Sequence, residues 1–182
     1  LYQARDRGLS HLGNMMMVNW GQSDGFSWYT DEFRYNVTSS FYSGVFNNTY
    51  SNTLKQYQIL FNLEDEKYTN YKAIALIMKS FHYQQLVDCY GDVPYTEALG
   101  RSKEATPAYD DAQAIYDDLI VQLNAAIEMI KTAPALAIVP GSDDAMFGGE
   151  MTDWIRFANT LKVRILTRQS DMAGRSTYIT TE

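Results

Sequence analysis

Between Asn19 and Val37 the chain collects side chains suited to holding a sugar. Trp20, Trp28 and Tyr29 offer flat ring faces, and Asp24, Asp31, Glu32, Arg34 and Asn36 offer hydrogen-bonding groups. An aromatic face stacks on the C–H face of a pyranose, while carboxylate, amide and guanidinium groups bind its hydroxyls. Gly21, Ser23, Asp24 and Gly25 interleave with the rings and break any helical period, so residues 19–37 read as an aromatic loop. Trp20, Asp24, Trp28, Tyr29, Arg34 and Asn36 are the expected ligand-binding residues. The competing reading is that the rings pin the loop to helices beneath it. Solvent-facing rings favour ligand binding; buried rings favour an adaptor that binds a protein partner and no small ligand.

Other chemistry finds little support. Asp88 and Asp92 are a carboxylate pair of the kind a glycosidase uses, but Asp92 falls in a tight turn, where solvent or cap contact is the simpler role. There is no Gly-x-Ser-x-Gly elbow, no His-Glu-x-x-His and no phosphate loop. Of the two histidines, His11 and His82, His82 lies on an apolar stripe with no second His or Cys at metal spacing, and reads as a hydrogen-bonded core histidine. Asp143-Asp144 followed by Gly148-Gly149-Glu150 lacks the spacing of a calcium loop and reads as a surface turn. No catalytic residue, metal or cofactor is expected. A net charge of −7 without a Lys/Arg cluster argues against nucleic acid, which needs a concentrated positive field. No apolar run reaches the roughly 18 residues of a membrane helix. The single cysteine, Cys89, reads as a small core residue. Asn36-Val37-Thr38 and Asn47-Asn48-Thr49 match a glycosylation sequon, a pattern frequent by chance.

The element around which the chain is organised is the helix from Tyr71, closed by Tyr90-Gly91-Asp92-Val93-Pro94-Tyr95. Tyr71, Ile74, Ala75, Met78, Leu86 and Cys89 recur at helical spacing. Ile77, Phe81 and Val87 add a second apolar face, so burial on more than one side is expected. Gly91 can take a positive φ to end the helix, and Pro94 blocks its restart. Four more helices are expected. Residues 1–18 carry the soft patch Met15-Met16-Met17. Residues 38–63, with Thr38 as N-cap, show the cleanest amphipathic pattern and an uncharged Ser/Asn face that suits a large, partly wet partner surface. A fourth is capped by Asp110 with Gln113 and runs through Ile115, Leu119, Leu123 and Ile127 toward Pro134. Residues 152–170 bury Trp154, Phe157, Ala158, Leu161 and Ile165. Residues 132–149 form an irregular connector. The expectation is an all-α fold, a tetratricopeptide-like array of paired helices in one domain over 1–182.

Three stretches together resemble the SusD/RagB family, SusD-like lipoproteins of Bacteroidota described as starch-binding and outer-membrane-associating. They are Ala73–Tyr90 closed by Tyr90-Gly91-Asp92-Val93-Pro94-Tyr95; Tyr109-Asp110 leading into Ile115-Tyr116 and 119–126; and Asp144 with Phe147-Gly148-Gly149, then Trp154-Ile155-Arg156-Phe157-Ala158-Asn159-Thr160-Leu161. The resemblance implies a partial SusD-like fold, the N-terminal part of a longer protein, consistent with an opening Leu1-Tyr2-Gln3 that lacks Met. It implies a nutrient-binding lipoprotein at the extracellular face of the outer membrane, held by an N-terminal lipid anchor outside this chain. It further implies a SusC-like TonB-dependent transporter as partner, oligosaccharide or, as in RagB-like proteins, peptide as ligand, and no catalysis.

Overall fold

A computed structural model describes residues 8–25, 29–100 and 106–182. Contacts cluster into two compact units, Leu1–Leu54 and Lys55–Glu182. The fold is all-α. Among the described residues the only strand pairing is a two-residue antiparallel bridge, Val93–Pro94 (β1) with Tyr109–Asp110 (β2).

The first unit contains α1 (Leu9–Met16), α2 (Thr30–Phe33), α3 (Ser43–Asn48) and a π-helical turn, Thr49–Leu54. Met15 is buried, whereas Met17 is 74% exposed, so the methionine run does not act as one core patch. The expected helix over 38–63 is helical from Ser43 to Phe61, starting later than expected and π-helical over Thr49–Leu54. Residues 39–42 form turns, Tyr42 enters α3 at φ 54°, and Thr38 caps nothing; its hydroxyl shares a hydrogen bond with Ser40 instead. The uncharged Ser/Asn face accounts for the late start and the π segment. These side chains compete for backbone groups and carry modest helix propensity. Ser51 Oγ bonds the Asn47 carbonyl (2.8 Å) and Thr49 Oγ1 the Val45 carbonyl (2.6 Å), inside the stretch that widens to π.

The second unit opens with α4 (Lys55–Phe61) and is built on α5 (Thr69–Tyr90), with α6 (Ala112–Lys131), α7 (Met151–Arg168) and the short α8 (Ser176–Thr181). α5 packs against α6 most extensively and also meets α4 and α7. Its buried residues run Ala73, Ala75, Leu76, Ile77, Met78, Tyr83, Leu86 and Val87, which covers every side of a helix. Gly91 ends α5 at φ 72°, ψ −119°, and its N–H returns to the Val87 carbonyl at 2.9 Å. The stop therefore sits where it is expected, in a region of backbone space still more restricted to glycine than left-handed helix.

Two details differ from expectation. Asp111, not Asp110, caps α6, accepting from the Ala114 N–H at 2.9 Å. Asp110 instead ties down the preceding loop, accepting from Tyr95 N (2.9 Å), Thr96 N (3.0 Å) and Thr96 Oγ1 (2.8 Å). Cys89 is exposed rather than in the core. It falls in the last turn of α5.

Polar ties lock the helices. Asp88 is engaged between helices. It accepts from the Tyr116 hydroxyl, Gln84 Nε2 (3.2 Å) and Arg168 Nη2 (3.1 Å), joining α5, α6 and α7. Asp92 accepts from Ala112 N (2.9 Å) at the start of α6. Asp144 is the hub of the 141–150 turn, accepting from Met146 N (2.9 Å), Phe147 N (3.2 Å), Gly149 N (3.0 Å) and Trp154 Nε1 (2.7 Å). Asp143 accepts from the Tyr71 hydroxyl at 2.6 Å. Both carboxylates of this pair are thus used by the protein itself.

Candidate ligand-binding site

The aromatic loop lies wholly in the first unit. Trp20 is 46% exposed. It stands edge-on to His11, with ring centroids 5.2 Å apart and planes at 82°. Tyr29 lies on the other ring contact of the same histidine, at 4.8 Å and 39°. His11 thus joins two of the expected rings into one cluster, its imidazole supported by α1. Edge-to-face and tilted pairs are the favoured aromatic geometries, so the cluster holds Trp20 in place while leaving much of its surface open.

Tyr29 is half-buried and takes φ 58° just before α2, an uncommon conformation for an aromatic residue. It swings the chain out of the loop and into the turn carrying the polar residues. Asp24 is exposed in a turn completed by Gly25 at φ 83°. Arg34 is exposed, with no side-chain hydrogen bond among the described residues. Asn36 is oriented by Asp31: Asn36 Nδ2 donates to Asp31 Oδ1 at 3.0 Å and Asn36 N to the Asp31 carbonyl at 2.8 Å. The structure brings Trp20 and Tyr29 together through His11, and places Arg34 and Asn36 just after the short α2. Trp28 lies outside the described residues.

Three further residues shape this region that are not among the expected ligand-binding residues. His11 falls on the apolar side of α1, and nothing in its spacing links it to Trp20. Tyr35 is 61% exposed and its hydroxyl donates to the Met16 carbonyl at 2.8 Å, fastening the turn to the end of α1. Glu32 is buried and accepts from the Tyr42 hydroxyl at 2.7 Å. Burial, and then this bond to a carboxylate, pushes the Tyr42 phenol well above its usual range. The bond ties α2 to the residue that leads into α3. Among the described residues no group of three or more His, Cys, Asp or Glu could hold a metal ion.

The chemical content is a partly exposed indole on an aromatic base, with an amide, a guanidinium and carboxylates nearby. Among the described residues these groups could hold a ligand by stacking and hydrogen bonding. A family model described as "starch-binding associating with outer membrane", SusD-like, matches residues 2–181. The chain belongs to the SusD-like family. Among solved structures, this SusD-like chain is similar to a chitin-binding protein, at 27% identity and TM-score 0.73, over 92% of this chain and 36% of that one. It is similar also to a SusD-like protein of Bacteroidetes at 26% identity and TM-score 0.64, over 80% and 26% of the two chains. A SusD-like protein of Bacteroides thetaiotaomicron, at 20% identity and TM-score 0.63, covers 94% of this chain and 40% of its own, and shows the shared fold. The chain therefore spans roughly a quarter to two fifths of the length of these relatives. No curated protein matches it.

Proposed function

We propose that this SusD-like chain belongs to a lipid-anchored protein at the extracellular face of the outer membrane. It binds oligosaccharide and passes it to a SusC-like TonB-dependent transporter without breaking bonds. The observation that carries the binding role is Trp20, held by His11 yet nearly half exposed, in a chain of a family described as starch-binding. Similarity to a chitin-binding protein supports a glycan over a peptide. One or two stacked rings contribute about 0.5–1.5 kcal/mol each beyond area burial. That gives modest affinity, which suits capture followed by release.

Calorimetry with starch- and chitin-derived oligosaccharides, and with peptides as the alternative ligand class, tests the reading. Trp20→Ala is expected to weaken glycan binding by about threefold to tenfold, the range that one lost stacking contact allows, with the melting temperature little changed. Unchanged affinity would remove Trp20 from the site. Binding to peptides alone would replace glycan with peptide, and release of reducing ends from any glycan would end the non-catalytic reading.

A further inference from the structure

The second unit contains a cavity of about 730 Å³, lined by α4, α5, α6 and the segment 95–100. Small-molecule sites have volumes of about 300–1,000 Å³. None of the residues discussed for the aromatic loop lines it. Its one cationic group among the described residues is Lys79 on α5. The Lys79 ammonium lies 5.5 Å from the centroid of the Phe61 ring and donates to Gln58 Oε1. Among the described residues no carboxylate is within ion-pair distance of it. Asp118 is the charged group on the facing helix, and it is already engaged, accepting from the Tyr95 hydroxyl and from Gln122 Nε2 at 3.2 Å.

An ammonium in a partly enclosed cavity with a single amide acceptor is under-compensated. Taking a charge out of water is costly unless it is paired. Burial accordingly pushes the Lys79 pKa down, with Asp118 opposing the effect. A ligand that brings one negative charge supplies the missing partner. A phosphate dianion fits poorly, since among the described residues a single ammonium faces it and Asp118 repels it. A carboxylate, with one charge, matches. The remaining lining is suited to hydroxyls. Gln58 Nε2 donates to Asn62 Oδ1 at 2.8 Å, which leaves the Asn62 amide nitrogen without a partner among the described residues. Thr96 and Gln122 add a hydroxyl and an amide. Tyr83 and Tyr95, edge to face at 4.7 Å and 82°, give an apolar wall for a ring.

We propose that this cavity is a second binding site that takes a hydroxylated carboxylic acid of sugar size, a uronic acid, with its carboxylate on Lys79 and its hydroxyls on Asn62, Thr96 and Gln122. The acid arrives either as a free monosaccharide or as the end of an acidic oligosaccharide. The site shares no residue with the aromatic loop, so it stands or falls independently of glycan binding there.

Calorimetry on the full chain at low salt, with glucuronate, its methyl ester and glucose, tests the assignment. Glucuronate is expected to bind at least tenfold more tightly than the ester or glucose. Lys79→Met, which keeps the apolar stem and removes the charge, is expected to abolish that preference. Lys131→Met removes an exposed ammonium paired with Glu128 at 2.8 Å, outside the cavity, and is expected to leave the preference intact. A galacturonate trisaccharide that binds as well as the monosaccharide makes the chain end the source. One that does not bind makes the free acid the source. Equal binding of acid and ester would overturn the proposal, and that comparison needs only the unaltered protein should Lys79→Met not fold. Equal loss in Lys79→Met and Lys131→Met would also overturn it, by reducing the effect to net charge.

Discussion

At Gly149 the backbone has φ 90°, and a Cβ built there would lie 1.8 Å from the Pro140 carbonyl oxygen. Gly91 also has positive φ, 72°, but a Cβ there would meet nothing within 4 Å. The two glycines separate two costs. Gly91→Val carries backbone strain alone, about 1–3 kcal/mol. Gly149→Ala adds a clash with rigid backbone and is expected to cost more, beyond about 3 kcal/mol. Chemical denaturation of the two variants checks the order, and the reverse order would mean that the 140–149 turn yields. Asp144→Ala belongs to the same scale. It leaves Trp154 Nε1 without its acceptor beneath a side chain that is 2% exposed, and frees three loop N–H groups. A loss of about 2–4 kcal/mol is expected, seen as a lowered denaturation midpoint with unchanged slope.

At the scale of elements, the assignment of the α6 cap is directly testable. Asp111→Ala should cost about 1 kcal/mol, the usual worth of an N-cap, read as reduced melting temperature and faster amide exchange in residues 112–115. Asp110→Ala should leave that exchange unchanged and instead speed exchange at Tyr95 and Thr96, whose N–H groups it accepts. The sequence made α5, α6 and α7 legible because each is long, apolar at helical spacing and punctuated by Gly91, Pro134 or the turn at 148–149. It did not resolve Asp110 from Asp111, since two adjacent acids give the same cap signal and only the bridge of β1 with β2 assigns one of them to the loop. Within 38–63 it found the helical run of 43–61 but not its late start or its π segment, because the Ser/Asn groups that compete for the backbone are invisible to a hydrophobic period. In the aromatic loop, a stretch without helical repeat fits both solvent-facing rings and rings pinned to the helices, and only the structure shows Trp20 46% exposed. The His11 contact that organises it depends on how α1 and the loop meet, and no spacing records that.

For the whole molecule, acid sensitivity should be set by one buried imidazole. His82 is 1% exposed, its Nε2 has no hydrogen-bond partner among the described residues, and Tyr57 stacks on it at 5.8 Å. The core position matches the sequence reading; the missing Nε2 partner does not. Burial lowers its pKa from 6.5 to about 4. Above pH 6.5 the residue is neutral in both folded and unfolded chains, and its contribution is fully present. Between 6.5 and about 4 the unfolded chain takes up a proton that the fold refuses, so stability falls, by about 3 kcal/mol in all. Below about 4 both states are protonated and this loss stops. Asp65 and Asp143, held below the usual carboxylate range by Lys67 and by the Tyr71 hydroxyl, weaken the fold only at still lower pH. Denaturant melts from pH 7 to 4 should show the decline, and His82→Gln should flatten it; a parallel decline in that variant would assign it elsewhere. The position of Cys89 has a practical corollary. Because the sole thiol of the chain lies at the surface, one maleimide dye can be attached stoichiometrically to the wild-type protein, with no engineering. The coupling should proceed sluggishly at neutral pH, since partial burial and then the neighbouring Asp88 raise the thiol's pKa. A fluorophore there would sit on the last turn of α5, one residue from the carboxylate that joins three helices, and would report any loosening of that junction when a glycan or an acidic sugar is added.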